Sequence, residues 1–160
     1  MKVLGLIPSR MGSKRLPAKS LLPISGLPLV IHTYRRANLS KLLDKIIICT
    51  DSRKIAKTAK KYKSKVILTS PHHSNGTERI AEAFIKEGKK YDLILDIQGD
   101  EPLISPYHID EVIKFHQKNQ DADIILPTLK IDLPDNPNIV KVVTNKKKRS
   151  TVFIKSKNSL

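Results

Sequence analysis

Three stretches of this sequence hold residue types suited to binding and activating phosphate groups. The first, Ile7-Pro8-Ser9-Arg10-Met11-Gly12-Ser13-Lys14-Arg15-Leu16-Pro17-Ala18-Lys19, places four cations within ten residues, with two prolines and a glycine to keep the backbone out of a helix. Arg offers a planar fork to phosphate oxygens and Lys a point charge. Arg10 and Lys19 bracket the turn, so their heads can converge on one ligand. The first carboxylate of the chain is Asp44, so nothing nearby in sequence neutralises the cluster, and a polyanion is its expected partner. The plain alternative is a solvated basic loop, as most Lys and Arg are exposed.

The second stretch is Asp96-Ile97-Gln98-Gly99-Asp100-Glu101-Pro102. A carboxylate beside a polyphosphate is repulsive unless a cation lies between them. Asp100 on the same rim as the basic loop therefore argues for Mg²⁺, typically held by one or two carboxylates plus phosphate oxygens. An ordinary acidic turn is the competing reading. In the third stretch, Ser74-Asn75-Gly76-Thr77-Glu78-Arg79, the glycine lets backbone approach a ligand and a helix start offers free N–H donors; a plain helix cap reads equally from the same residues. His72 and His73 are adjacent, which suits neither one helical face nor zinc geometry, and they read as loop residues.

The elements that must position these stretches follow from periodicity. Strand-like runs at Val3–Ile7, Lys45–Thr50, Lys65–Leu68, Leu93–Ile97 and Ile124–Pro127 alternate with helix-like segments, the rhythm of a parallel sheet covered on both faces. Both chemical loops would then hang at strand carboxyl ends, where open α/β sheets bind ligands. Helices are expected from Pro28 to about Asn38, Lys54 to Tyr62, Thr77 to Lys86 behind an Asn75/Glu78 capping box, and onward from Ser105-Pro106. His116 falls at helical spacing with Ile109, Val112 and Ile113 and reads as a core-edge residue. After Pro127 the alternation stops. Asp132 to Asn138 is a turn-rich connector, and Ile139–Thr144 with Thr151–Lys155 read as a hairpin.

At 160 residues the chain is expected to form one domain, 1–128 as an α/β core and 129–160 as the start of a further region. Thirty Lys+Arg against fifteen Asp+Glu give +15 and a pI near 10.0, which alone suggests nucleic acid. Against that, Lys54, Lys57, Lys60 and Lys61 are spaced as a solvated helix face, and only three Phe and four Tyr are available for stacking. The single cysteine, Cys49, excludes an internal disulfide and reads as a buried thiol. Pro8 and Arg10 break the first apolar run before a secretory signal develops, so a cytoplasmic protein without a membrane span is expected.

Four motifs in order carry a family resemblance: Ile7-Pro8-x-Arg10-x-x-Ser13-x-Arg15-Leu16-Pro17-x-Lys19, Asn75 to Glu82, Gln98-Gly99-Asp100-Glu101-Pro102 and Asn136 to Val143. From about Val3 to Ser156 the chain resembles the CMP-Kdo synthetases, the 3-deoxy-manno-octulosonate cytidylyltransferases. The resemblance implies a three-layer, Rossmann-like nucleotidyltransferase with a mostly parallel sheet. It also implies transfer of CMP from CTP to the anomeric hydroxyl of Kdo, giving CMP-Kdo and pyrophosphate for lipopolysaccharide biosynthesis. By the same resemblance Arg10 and Lys19 bind the CTP phosphates with Arg15 assisting, Asp100 ligates Mg²⁺, Gln98 contacts ligand beside it, and Ser74, Asn75 and Gly76 line the cytosine pocket.

The departures are specific. Ala18 and Ser20 stand where the family usually has Gly and Pro, Ser9 replaces a customary Ala, and Lys155 falls where the family has an arginine. Gly12-Ser13-Lys14-Arg15 leans toward the acylneuraminate cytidylyltransferases. Family members form homodimers and continue beyond this length with a second metal-binding aspartate, sugar contacts and the dimer segment. An incomplete site with weak or absent turnover is therefore expected. The alternatives are a related sugar-acid cytidylyltransferase, an inactive fragment, or a non-enzymatic nucleic-acid-binding protein.

Overall fold

A computed structural model describes residues 1–13, 16–129, 140–145 and 150–154 of the chain. The order of elements is β1 (Val3–Ser9), β2 (Pro23–Ile24), β3 (Leu27–Pro28), α1 (Leu29–Ala37), β4 (Lys45–Thr50), α2 (Arg53–Lys61), β5 (Val66–Leu68), α3 (Gly76–Lys86), β6 (Leu93–Asp96), α4 (Pro106–Lys118), β7 (Lys141–Thr144) and β8 (Ser150–Ile154). Two compact units result, Met1–Asp121 and Ala122–Leu160.

In the first unit β5, β4, β1 and β6 form one sheet in that order, and every pairing is parallel. β1 is central because its run of apolar side chains is buried on both faces, with Leu4, Leu6 and Ile7 fully enclosed. Two carboxylates fix its entry: Asp92 accepts the Lys2 N–H and Asp44 the Val3 N–H, each at 2.7 Å. Alternate residues then serve opposite cores. Val3 and Ile7 pack with Val30 and Ile31 of α1, Ile55 and Ala59 of α2, and Ile109 and Ile113 of α4. Leu4 and Leu6 pack instead with Ile47, Cys49, and Ile80 and Ala83 of α3. The three layers are thus one sheet between α1, α2 and α4 on one face and α3 on the other.

Helix boundaries follow local chemistry. The Ser52 side chain accepts the Ile55 N–H, Asn75 that of Glu78, and Ser105 that of His108 with Pro106 in the first turn. Lys54, Lys57, Lys60 and Lys61 line the exposed side of α2. His116 is half-buried on α4. Pro28 does not open α1 from within. It ends the short β2–β3 ribbon and caps the helix, which begins at Leu29, because its backbone is extended at φ −57°, ψ 142°.

In the second unit β7 and β8 pair antiparallel, Lys141 opposite Ile154 and Val142 opposite Phe153, with an irregularity at Val143/Thr144. The strand expected at Ile124–Pro127 does not form. No strand pairs with it among the described residues, and Ile124 is 82% exposed. Apolar composition favours a strand only when a partner completes the ladder. The expected connector at 132–138, and Lys155, lie outside the described residues.

Candidate active site

The basic loop leaves the carboxyl end of β1 and returns on itself. The Met11 carbonyl accepts both the Ser13 N–H at 2.9 Å and the Ala18 N–H at 3.2 Å, closing a ring. Met11 itself packs on the core beneath. Ring closure brings Arg10 and Lys19, one residue outside it on either side, to a common base. A single 3₁₀ turn, Lys19–Leu21, follows, entered through Ala18 in the left-handed conformation at φ 55°, ψ 25°. Arg10 is exposed and has no ion pair or hydrogen bond among the described residues. Arg15 lies outside them.

The second loop lies directly on the end of β1. Ile97 extends the ladder by one rung, its N–H donating to the Leu6 carbonyl at 2.9 Å. The chain then turns so tightly that a Cβ on Gly99 would stand 2.9 Å from the Pro8 carbonyl oxygen and 2.7 Å from Ser9 Oγ. Only glycine permits that approach. The Thr33 hydroxyl of α1 donates to the Gly99 carbonyl at 3.3 Å, and Arg36 Nε to the Ile104 carbonyl at 3.2 Å, tying the loop to the helix. Asp100 emerges from this turn and accepts a hydrogen bond from Lys19 Nζ, forming an ion pair between partly exposed side chains.

Lys19 and Asp100 are therefore in contact across the fold although 81 positions apart. No carboxylate near the basic loop in sequence neutralises it, and the one that does so in space, Asp100, comes from the acidic turn expected on the same rim. Gln98 turns to its own strand, Nε2 donating to Asp96 Oδ1 at 3.0 Å. Desolvation pushes the Asp96 carboxyl above its ordinary range and Glu101 adds to it, while the Gln98 bond opposes.

The third loop reaches the same strand end from the opposite face. A Cβ on Gly76 would sit 3.4 Å from the Pro8 ring, so the start of α3 abuts the residue preceding Ser9 and Arg10. Asn75 Oδ1 accepts the Glu78 N–H at 2.9 Å, and the Glu78 carboxylate answers with bonds from Asn75 Nδ2 and the Ser74 N–H, both 2.9 Å. Arg10, Lys19, Asp100 and Gly76 thus share one rim. Gln98 and Asn75 border it with side chains already engaged within the protein, and Ser74 with its backbone N–H bound to Glu78.

Sequence reasoning missed the struts of this rim: Thr33, Asp51, Arg79 and Glu82. Arg79 and Glu82 follow Asn75 at helical spacing, a signal for a shared face. Nothing in the sequence pairs them with Asp51 or Ser70. Among the described residues no group of three His, Cys, Asp or Glu side chains could enclose a metal. Asp100 supplies a hard, partly exposed oxygen donor, which fits a Mg²⁺ ion that takes its remaining ligands from phosphate and water.

A family model described as cytidylyltransferase matches residues 4–158. The chain is 40% identical over 154 residues to a mitochondrial 3-deoxy-manno-octulosonate cytidylyltransferase of Arabidopsis thaliana, covering 95% of this chain and 53% of that protein. It is 39% identical over 164 residues to an 8-amino-3,8-dideoxy-manno-octulosonate cytidylyltransferase of Shewanella sp. (strain W3-18-1), covering 98% of this chain and 66% of that one. Among solved structures, a CMP:2-keto-3-deoxy-manno-octonic acid synthetase complexed with CTP superposes with a TM-score of 0.86 at 30% identity, covering 98% of this chain and 65% of that chain. The chain spans between about half and two-thirds of the length of these relatives.

Proposed function

Because this chain belongs to the cytidylyltransferase family, we propose that it is the CTP-binding part of an enzyme that transfers CMP to the anomeric hydroxyl of 3-deoxy-manno-octulosonate, releasing pyrophosphate. CMP-Kdo made this way feeds lipopolysaccharide assembly. The observation that carries the reading is the meeting of Lys19 and Asp100 at the end of β1, a phosphate-binding cation and a metal-binding carboxylate on one rim.

In this reading Arg10 and Lys19, with Arg15 from the same loop, hold the β- and γ-phosphates and neutralise the charge that develops on the leaving pyrophosphate. Asp100 would hold Mg²⁺ together with phosphate oxygens, and the ion when bound would screen the triphosphate from the carboxylate and supply Lewis-acid polarisation of the phosphoryl group. The anomeric hydroxyl gives its proton to water as its oxygen attacks the α-phosphorus, the bond to the bridging oxygen breaks, and pyrophosphate departs with the bonding electrons. Ser74, Asn75 and Gly76 present backbone groups to the cytosine edge, and Gln98 contacts ligand beside the metal. Residues 129–160 belong to the region that continues toward sugar contacts and the homodimer interface. The work is cytoplasmic, and no helix among the described residues is long and apolar enough to cross a membrane.

The Shewanella relative favours a second acceptor, the 8-amino-3,8-dideoxy analogue. A pyrophosphate-release assay with CTP and each sugar decides between them. Weak or absent turnover is expected from this chain alone, so binding is the primary test. Calorimetry should show CTP binding that requires Mg²⁺ and is lost in Asp100→Ala. Equal binding of duplex DNA and CTP, with steep salt dependence for both, would replace this reading with a nucleic-acid binder.

A further inference from the structure

The segment between β5 and α3 is laced to the helix by three of its own side chains. Arg79, only 3% exposed, donates from Nη2 to Asp51 Oδ2 at 2.9 Å and from Nη1 to the Thr69 hydroxyl at 2.5 Å and the Ser70 carbonyl at 3.4 Å. Asp51 follows β4 directly and Thr69 follows β5 directly, so one guanidinium joins the exits of two neighbouring strands to α3. Glu82 accepts the Ser70 N–H at 2.7 Å and faces His73 Nε2 at 2.5 Å, while Lys86 binds its other oxygen at 2.7 Å. Glu78 holds the Ser74 N–H.

A buried ion pair is weak evidence for stability, because an apolar side chain of similar volume often does as well. An apolar side chain could not fix two strand exits at once. Nor could it cancel the charge of Asp51, a carboxylate at the rim that a triphosphate must approach. We propose that Arg79 is the positioning residue of the base-binding loop, holding Thr69–Gly76 in the conformation in which Ser74–Gly76 meet the nucleobase and neutralising Asp51. The proposal rests on the reading of this rim as a CTP site.

The test uses Arg79→Lys and the double variant Arg79→Met/Asp51→Asn, which leaves no unpaired charge. Amide exchange at Ser70 and Ser74 is read in nucleotide-free protein, and CTP and inorganic tripolyphosphate affinities are read separately. In the double variant both amides should exchange at least about tenfold faster and CTP should bind roughly tenfold or more weakly. Tripolyphosphate, which draws on the basic loop and the Asp100 site but has no nucleobase to place, should bind as before, and Arg79→Lys should recover part of the CTP affinity. Unchanged exchange, or CTP affinity unchanged in the double variant, overturns the proposal, as does an equal loss of tripolyphosphate, which would mean that the whole rim had shifted. A wild-type chain that binds CTP no better than tripolyphosphate refutes the CTP reading, and with it the nucleobase role of Arg79, while the exchange result still reports on the loop. Should the double variant not fold, wild-type exchange and affinity in Arg79→Lys overturn the proposal.

Discussion

Ala18 carries a left-handed backbone at φ 55° where the resembled family usually has glycine. A Cβ in that conformation costs about 1–2 kcal/mol, part of which glycine returns through the entropy of its unfolded chain. Ala18→Gly should therefore stabilise the protein by roughly 0.5–1 kcal/mol in urea denaturation and should leave the Lys19–Asp100 contact in place. Lys19 and a metal ion are competitors for Asp100. Lys19→Met should accordingly tighten Mn²⁺ binding to the nucleotide-free protein, followed by electron paramagnetic resonance, while weakening CTP. If metal affinity stays the same or falls, Lys19 does not hold Asp100 in solution. Cys49 was legible at this scale: it is fully buried, and desolvation pushes its thiol up to about 12. It should resist alkylation at pH 8 until the protein unfolds.

At the scale of elements, each loop is held by a neighbour distant in sequence. Gly99 lies against Pro8 and Ser9, and the obstacle to a side chain there is a backbone carbonyl that cannot swing aside. Gly99→Ala should displace Asp100 and abolish Mg²⁺-dependent CTP binding with only modest loss of the β1–β6 pairing, measured by calorimetry beside thermal melting. The α3 loop has an acid-sensitive anchor. Lys86, the Ser70 N–H and His73 together lower the Glu82 carboxyl from 4.5 to about 2, with Lys86 the largest cause and burial opposing. A depressed folded-state value means that the stabilisation is full above 4.5 and lost as pH falls through about 2. Protection of the Ser70 amide should decline over that window in wild type, whereas Glu82→Gln should start lower and change little. Helix starts were readable because caps are local: Asn75, Ser105 and Pro106 announce α3 and α4. The strand expected at Ile124–Pro127 was misread because a strand needs a partner that composition cannot name.

At the scale of the molecule, the excess of positive charge is spread over solvated faces such as that of α2, and binding of CTP is expected to depend far less on salt than a DNA-binding protein of this charge would. Titrating CTP at low and high ionic strength checks this, and a slope of many released ions would contradict it. The sequence by itself determined the alternation of strands and helices, the basic loop after β1, the acidic turn after β6 and the helix cap at Asn75. Each depends on periodicity or on residues within a few positions. Only the tertiary structure decided that these loops meet, that Asp100 answers Lys19, and that Asp51, Thr33, Arg79 and Glu82 brace the rim. Those contacts join residues up to 81 positions apart, and they exist because a parallel sheet delivers every strand's carboxyl end to the same side. Sequence spacing encodes the faces of an element, but strand order and close approach, as at Gly99 on β1, emerge only when the elements pack.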